Sequence, residues 1–220
     1  AAFGAATDVT PKFVSHADPS SQWTAAHHGP ACCAYSNNSL LDTDHASILD
    51  VEATHAVRQA ETGAARTMVD RAMDRFGLWP ERLIADTGYG SADMLGWLVE
   101  ERGIEPHIPV FDKSERRDGT FPATDFVYDR HEDAYACPGG KLLRPYWRDI
   151  AGERPEFGPD GFKRYFARKR DCEVCSLKPR CTPNQPRRKV SRHRFEGARQ
   201  MARDIAASEE YGVSANTNGR

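Results

Sequence analysis

The chain has 220 residues, with 30 Lys and Arg against 32 Asp and Glu, a net charge of -2 and a mean hydropathy of -0.67. That length suits one main domain with an appendage. No apolar run approaches the roughly 20 residues of a membrane-spanning helix and no charged-then-apolar leader is visible, so the expectation is a cytosolic chain with no membrane partner.

In chain order, Ala1 to Thr10 are small and polar and suit a frayed helix end or linker, Pro11 to Ser15 suit extended chain, and Asp18-Pro19-Ser20-Ser21 suits a turn. His27 and His28 read as surface residues of a loop, and the adjacent Cys32 and Cys33 as small core residues entering the next element. Tyr35 to Leu41 and Ala46 to Ala53 flank the polar Asp42-Thr43-Asp44-His45, which predicts an antiparallel hairpin. From Gln59 the residues Ala60, Ala64, Met68, Ala72 and Phe76 recur at helical spacing until Gly77, with Pro80 beyond. The short run Arg82 to Ala85 then reads as a strand ending at Asp86. Ser91 caps a helix with the stripe Met94, Leu95, Trp97 and Leu98, closing at Gly103, and Ile104 to Val110 reads as a strand that Pro106 and Pro109 demote towards an edge. The order β-β-α-β-α-β predicts an α/β fold: a partial RNase H-like mixed sheet flanked by helices.

Beyond a charged, glycine-bearing linker over 113–120 the composition changes. Residues 1–136 hold 11 Lys and Arg against 22 Asp and Glu, whereas residues 137–220 hold 19 against 10. The expected division is therefore a core over 1–112, a cysteine-containing insertion over 113–190, and over 191–220 the start of a helical segment with an aberrant tail. Two short strands are expected around Phe126-Val127-Tyr128 and Ala134-Tyr135-Ala136-Cys137.

Four of the six cysteines fall in the basic half: the pair Cys172-Glu173-Val174-Cys175 and two further thiols, Cys137 and Cys181, each near a Pro or Gly able to form a tight knuckle. Four thiolates are the donor set of a tetrahedral structural Zn2+ site, although the spacing departs from the two close pairs of a zinc ribbon. The competing reading is a set of reduced, half-buried thiols. The basic residues Lys163, Arg164, Arg168, Lys169 and Arg170 are interleaved with Tyr165 and Phe166, and Arg187, Arg188 and Lys189 follow. Such a set either neutralises DNA phosphates or is a solvated surface. Asp86, delivered by an apolar strand and followed by Gly88 and Gly90, has the setting of a catalytic acid or metal ligand; the plainer alternative is a turn acid favoured by a helix dipole.

The stretch Pro80-Glu81-Arg82-Leu83-Ile84-Ala85-Asp86-Thr87-Gly88-Tyr89-Gly90-Ser91, with the later Gly103-Ile104-Glu105-Pro106-His107-Ile108-Pro109, resembles the Ala-Asp-x-Gly-Tyr and Gly-Ile-x-Pro-x-Ile-Pro stretch of bacterial insertion-sequence transposases with a DDE catalytic domain. Tyr135-Ala136-Cys137-Pro138-Gly139-Gly140 and the run from Cys172 to Cys181 resemble the cysteine-bearing insertion of that family. The resemblance spans about residues 10 to 210. It implies DNA cleavage and strand transfer on an RNase H-like fold, with three acids holding two Mg2+ or Mn2+ ions, transposon-end DNA as the partner, and a homo-oligomer as the working form. Asp86 matches the family's second acid. The first acid belongs to an Asp-Gly-type motif that residues 1 to 17 lack, and Asp18, Asp42 and Asp50 sit in a turn or on the hairpin. The third should be a Glu on a helix after Arg199 to Ala206, for which Glu196, Glu209 and Glu210 come too early, and the acid-free tail from Gly212 looks like read-through. The expectation is an inactive remnant truncated at both ends; the alternative is a non-catalytic DNA-binding or zinc-stabilised structural module.

Overall fold

The computed structural model describes residues 13–25, 29–56, 58–111, 118–146, 155–209 and 211–212. The expectations for residues 1–12, for His27 and His28, for most of the 113–120 linker, for Glu210 and for the tail from 213 onward lie outside these. The chain divides into two compact units, Ala1–Pro109 with Ala202–Arg220, and Val110–Met201.

In the first unit, β1 (Gln22–Ala25), β2 (Ala31–Asp42) and β3 (Ser47–His55) form an antiparallel sheet in that order. The predicted hairpin is the β2–β3 pair, and its turn has a local cause. The Asp42 carboxylate accepts from the backbone N–H groups of Asp44 at 2.9 Å and His45 at 3.2 Å, so the side chain caps the reversal. The strand β1 was not foreseen. Cys32 and Cys33 lie opposite Thr24 and Trp23 on the β1–β2 ladder, and Cys32 is exposed rather than in a core, as are Trp23, Ala25 and Ala31 around it.

The helix α1 (Arg58–Phe76) buries Ala60, Ala64, Ala65, Met68, Val69 and Ala72. The small residues Ala60, Ala64 and Ala72, with Met68 filling the position between, let its backbone approach β2 and β3. Phe76 is the exception to the predicted stripe. It is the last helical residue and is exposed, because Gly77 at φ +63° turns the chain away there. Across the interface Arg71 grips β3, with Nε 2.7 Å from Asp50 Oδ2 and Nη1 2.7 Å from Glu52 Oε2.

Next comes a right-angled change of character: β4 (Arg82–Ile84) and β5 (Glu105–His107) pair in parallel, register Arg82 to Glu105. Parallel neighbours need a crossover. Here it consists of a 3-10 turn (Thr87–Tyr89), α2 (Ala92–Gly96), and a π-helical stretch (Trp97–Arg102). Ser91 caps α2 through Met94 N–H at 3.3 Å, and Gly103 ends the crossover at φ +65° with its N–H on Leu98 C=O. The buried side chains of Met94, Leu95, Trp97, Leu98, Ile104 and Ile108 line this βαβ unit. The predicted single mixed sheet is found as two separate ladders among the described residues. The strands β4 and β5 are three residues each, and Pro106 supplies no N–H, so the parallel pair has few bonds with which to extend sideways.

In the second unit, β6 (Val127–Asp129), β7 (Ala134–Ala136) and β8 (Leu142–Leu143) form one antiparallel sheet, and β9 (Phe162–Phe166) pairs with β10 (Lys189–His193) in another. Arg144 and Phe166 exchange backbone hydrogen bonds at 3.1 and 2.9 Å and so bridge the two. The core is small: Phe126, Tyr135, Leu143, Tyr165, Ala167 and Val190. Two short helices follow β9, α3 (Lys169–Glu173) and α4 (Lys178–Cys181). The last helix, α5 (Glu196–Ala206), buries Ala198 and Ala202 and contains the boundary between the units.

Candidate functional site

Asp86 follows β4 with only Ala85 between, and its backbone is extended (φ -77°, ψ 175°), so the chain leaves the sheet straight before folding into the 3-10 turn. Its Oδ1 accepts from Gly88 N–H at 2.6 Å, and its carbonyl accepts from Tyr89 N–H at 3.1 Å. The residue is exposed, and Oδ2 takes no hydrogen bond among the described residues. One carboxylate oxygen is thus fixed by the turn while the other is open to solvent. The plainer reading made from sequence describes what is observed, an acid that caps a turn at a strand end.

Tyr89, in the same motif, is half-buried. Burial raises its phenol above the ordinary value, and the charges of Glu61 and Asp86 raise it further. Glu61, in the first turn of α1, accepts from the Ser36 hydroxyl on β2 at 3.0 Å. The sequence reading missed Glu61, since an acid one turn into a helix looks like any dipole-favoured residue.

The other acids weighed for this site are engaged elsewhere. Asp18 accepts from the Tyr35 hydroxyl at 2.9 Å and from Ser20 N–H at 3.1 Å. Asp42 caps its turn and faces His45 Nδ1 at 2.8 Å, and that hydrogen bond lowers the carboxyl below its ordinary value. Asp50 belongs to Arg71. In the second unit Glu196 faces Arg199 at 2.8 Å, and Glu209 is exposed. Among the described residues no group of three or more His, Cys, Asp or Glu side chains forms a ready-made metal-binding arrangement.

The basic residues divide sharply. Lys163 is nearly buried between Asp133 at 2.7 Å and Glu156 at 3.0 Å, and Arg164 is paired with Asp160. Arg188 is buried and donates to the carbonyls of Cys181 at 3.0 Å and Phe121 at 2.9 Å, with its guanidinium over the Phe126 ring. Lys169 and Arg170 lie on exposed α3, near Glu173 at 3.6 Å and Asp171 at 3.7 Å, and Arg168 immediately precedes that helix. Arg187 is exposed and stacks on Phe166, its guanidinium carbon 4.5 Å from the ring centre, while exposed Lys189 lies opposite Phe166 in the β9–β10 register. Arg164, Phe166 and Lys189 share one face of that ribbon, because side chains alternate along a strand.

The cysteines of the second unit come from three places. Cys137 follows β7 in a tight loop in which Gly140 N–H binds Cys137 C=O at 2.8 Å, Cys137 N–H binds Lys141 C=O at 2.9 Å, and Lys141 N–H points at Cys137 Sγ at 3.3 Å. Gly140 sits at φ +70°, a conformation the loop needs and few other residues adopt. Cys172 lies in α3, Cys175 just beyond it, and Cys181 ends α4. Cys137, Cys172 and Cys181 pack against the same core. A side-chain carbon at Gly139 would lie 3.5 Å from Cys175 Sγ and 3.7 Å from Cys137 Sγ, so these two sulfurs flank a single gap. Burial pushes the Cys181 thiol up, with Arg188 opposing and Cys137, Cys172 and Cys175 adding to the rise. All four are free thiols.

An exposed acid thus stands at the end of a strand, beside glycines, in the βαβ crossover of a mixed α/β chain. The family model described as "Transposase DDE domain" matches residues 5–194, and the chain belongs to that family. No curated protein and no solved structure matches it. DNA transposition is the function that membership gives, with divalent metal ions and DNA as the family's requirements. None of the described helices is long and apolar enough to cross a membrane.

Proposed function

We propose that Asp86 is one of the carboxylates that hold Mg2+ or Mn2+ at the scissile phosphate during DNA cleavage and strand transfer in the cytoplasm. The observation that supports this is the pose of the carboxylate: Oδ1 is fixed by Gly88 N–H at 2.6 Å and Oδ2 is open. A hard divalent ion takes such an oxygen and keeps waters for an incoming phosphate. When bound, the ion supplies Lewis-acid stabilisation of charge on the phosphate and on the attacking oxygen. The chain's part is to hold the ligand oxygen in place through the Gly88 hydrogen bond. Tyr89, raised by burial and by its acidic neighbours, stays protonated and adds no charge beside a phosphate.

With Asp18, Asp42 and Asp50 engaged elsewhere, we infer that the 220-residue chain by itself does not cleave DNA. One carboxylate does not hold two ions against their hydration. Incubation of the purified chain with duplex DNA and Mg2+ or Mn2+ tests this, and ion-dependent strand cleavage would overturn it. The ligand role of Asp86 is read separately: Mn2+ should broaden the amide resonances of Asp86 to Gly90 in the wild type and leave them sharp in Asp86→Asn. A folded wild type with no broadening there sinks the assignment.

DNA contact is assigned to the second unit, through the outer ribbon face with Arg187 and Lys189 and through Arg168, Lys169 and Arg170 around α3. Stacked guanidinium and strand lysine suit phosphates and bases without sequence preference. Arg164 lies on that same face paired with Asp160, while Lys163 and Arg188 support the ribbon from within.

A further inference from the structure

We propose that Cys137, Cys172, Cys175 and Cys181 bind one Zn2+ as a structural tetrathiolate site in the Val110–Met201 unit. The argument is geometric. Residues separated by up to 44 positions come together at one small core: Cys137, Cys172 and Cys181 pack on it directly, and the fourth, Cys175, shares the Gly139 gap with Cys137. A Cβ at position 139 would touch both sulfurs at ordinary contact distance, which places Cys137 and Cys175 on either side of one small space.

The loops also carry the features that a thiolate needs. Lys141 N–H points at Cys137 Sγ at 3.3 Å, a hydrogen bond that favours the charged sulfur. In the Cys172-Glu173-Val174-Cys175 turn, Cys175 N–H binds Cys172 C=O at 3.3 Å, and Lys178 N–H binds Cys175 C=O at 3.1 Å, so the pair is held by its own backbone. Buried Arg188 ties the Cys181 carbonyl to that of Phe121 and brings positive charge to a site whose zinc-bound form is doubly negative. The six-residue core supplies the reason for a metal. Small units with little to bury are commonly completed by one.

Among the described residues the sulfurs are not drawn into a ready ligand set. Binding therefore includes closure of the four sulfurs to the ~2.3 Å Zn–S distance. Four Zn–S bonds form, and the thiol protons pass to solvent.

This proposal is independent of the transposition chemistry, and its test does not read cleavage. The full reduced chain is loaded with Zn2+, desalted and analysed for metal, and in parallel titrated with Co2+. One zinc per chain is expected, with a thiolate-to-cobalt charge-transfer band and the strong visible bands of tetrahedral cobalt. Cys172→Ser and Cys137→Ser should each lose the bound zinc, whereas Cys32→Ser with Cys33→Ser should keep it. If the single variants fail to fold, the wild-type cobalt spectrum and the retained zinc of the Cys32/Cys33 variant carry the test. A folded, reduced wild type that retains no zinc overturns the site, as does a metal lost with Cys32 and Cys33 or a cobalt spectrum without thiolate bands.

Discussion

The Tyr165 hydroxyl donates to the Asp133 carboxylate at 2.6 Å from a ring that is 1% exposed, joining β9 to the turn before β7. Tyr128 adds a second donor at 2.9 Å and Lys163 a third at 2.7 Å. Asp133 itself sits at φ +44°, in the left-handed region that Asp and Asn tolerate better than other side chains. The acid therefore fixes the turn through its backbone and the unit's core through its side chain. Asp133→Ala removes both. A loss of about 2–3 kcal/mol is expected, because Tyr165 keeps a buried hydroxyl with no acceptor. Asp133→Asn keeps the turn and an acceptor and should cost less; urea unfolding of the two variants checks the order.

The same acid gives the second unit a dependence on pH. Burial alone would raise its carboxyl, but the hydrogen bonds from Lys163, Tyr165 and Tyr128 outweigh that and hold it below the ordinary 3.8. A depressed native value means that the stabilisation is present above 3.8 and is lost as the pH falls through the native value. Urea midpoints of wild type and Asp133→Asn should differ at neutral pH and converge in strong acid. A gap that persists unchanged below the native value would contradict the charge-based account.

In the first unit, Arg71 holds Asp50 and Glu52 at once. Its partners are largely shielded, Asp50 at 11% side-chain exposure, so the pair is not a surface ion pair of little consequence. Arg71→Met leaves two acids side by side and partly buried, for an expected loss of about 1–3 kcal/mol. Replacing Asp50 and Glu52 with Asn and Gln in the same background should recover part of it. That recovery, measured by thermal unfolding, separates the charge from the lost packing.

Arg187 and Arg188 are neighbours with opposite duties. Arg188→Ala leaves two part-buried carbonyls without their guanidinium donor and removes a ring contact, so it should lower stability by about 1–3 kcal/mol. Arg187→Ala and Lys189→Ala should leave stability within about 0.5 kcal/mol. Both should weaken gel-shift affinity for duplex DNA, and each should reduce the salt slope by about 1. Unchanged affinity in both would remove this ribbon from the DNA interface.

Local patterns in the sequence carried much of the first unit. The hairpin was legible because Asp42 to His45 is a polar turn between alternating arms, α1 because Ala60, Ala64, Met68 and Ala72 recur every four residues, and the crossover because Ser91 and Gly103 mark its ends. The strand β1 was not legible, since Gln22-Trp23-Thr24-Ala25 is too short to show alternation and is defined by its pairing with Ala31 to Ala34. The β9–β10 ribbon was hidden for a related reason. Phe162-Lys163-Arg164-Tyr165-Phe166 reads as a charged patch until Val190 is found opposite Tyr165 and Asp133 beneath Lys163. At the candidate site the motif identified Asp86, but which oxygen is tied and which is open depends on the turn after it. Glu61 emerged only through its shared influence with Asp86 on Tyr89.

Three residues paired with three is too little ladder to stand unaided, so the bearing of Asp86 is set by the apolar plug behind it: Leu95, Leu98, Ile104 and Ile108, each at most 1% exposed. Thinning that plug, as in Leu98→Ala, would make the acid's neighbourhood heat-labile well before the hairpin and α1 let go. Such a lesion would loosen a proposed ligand from a distance, through a residue that itself touches neither metal nor DNA.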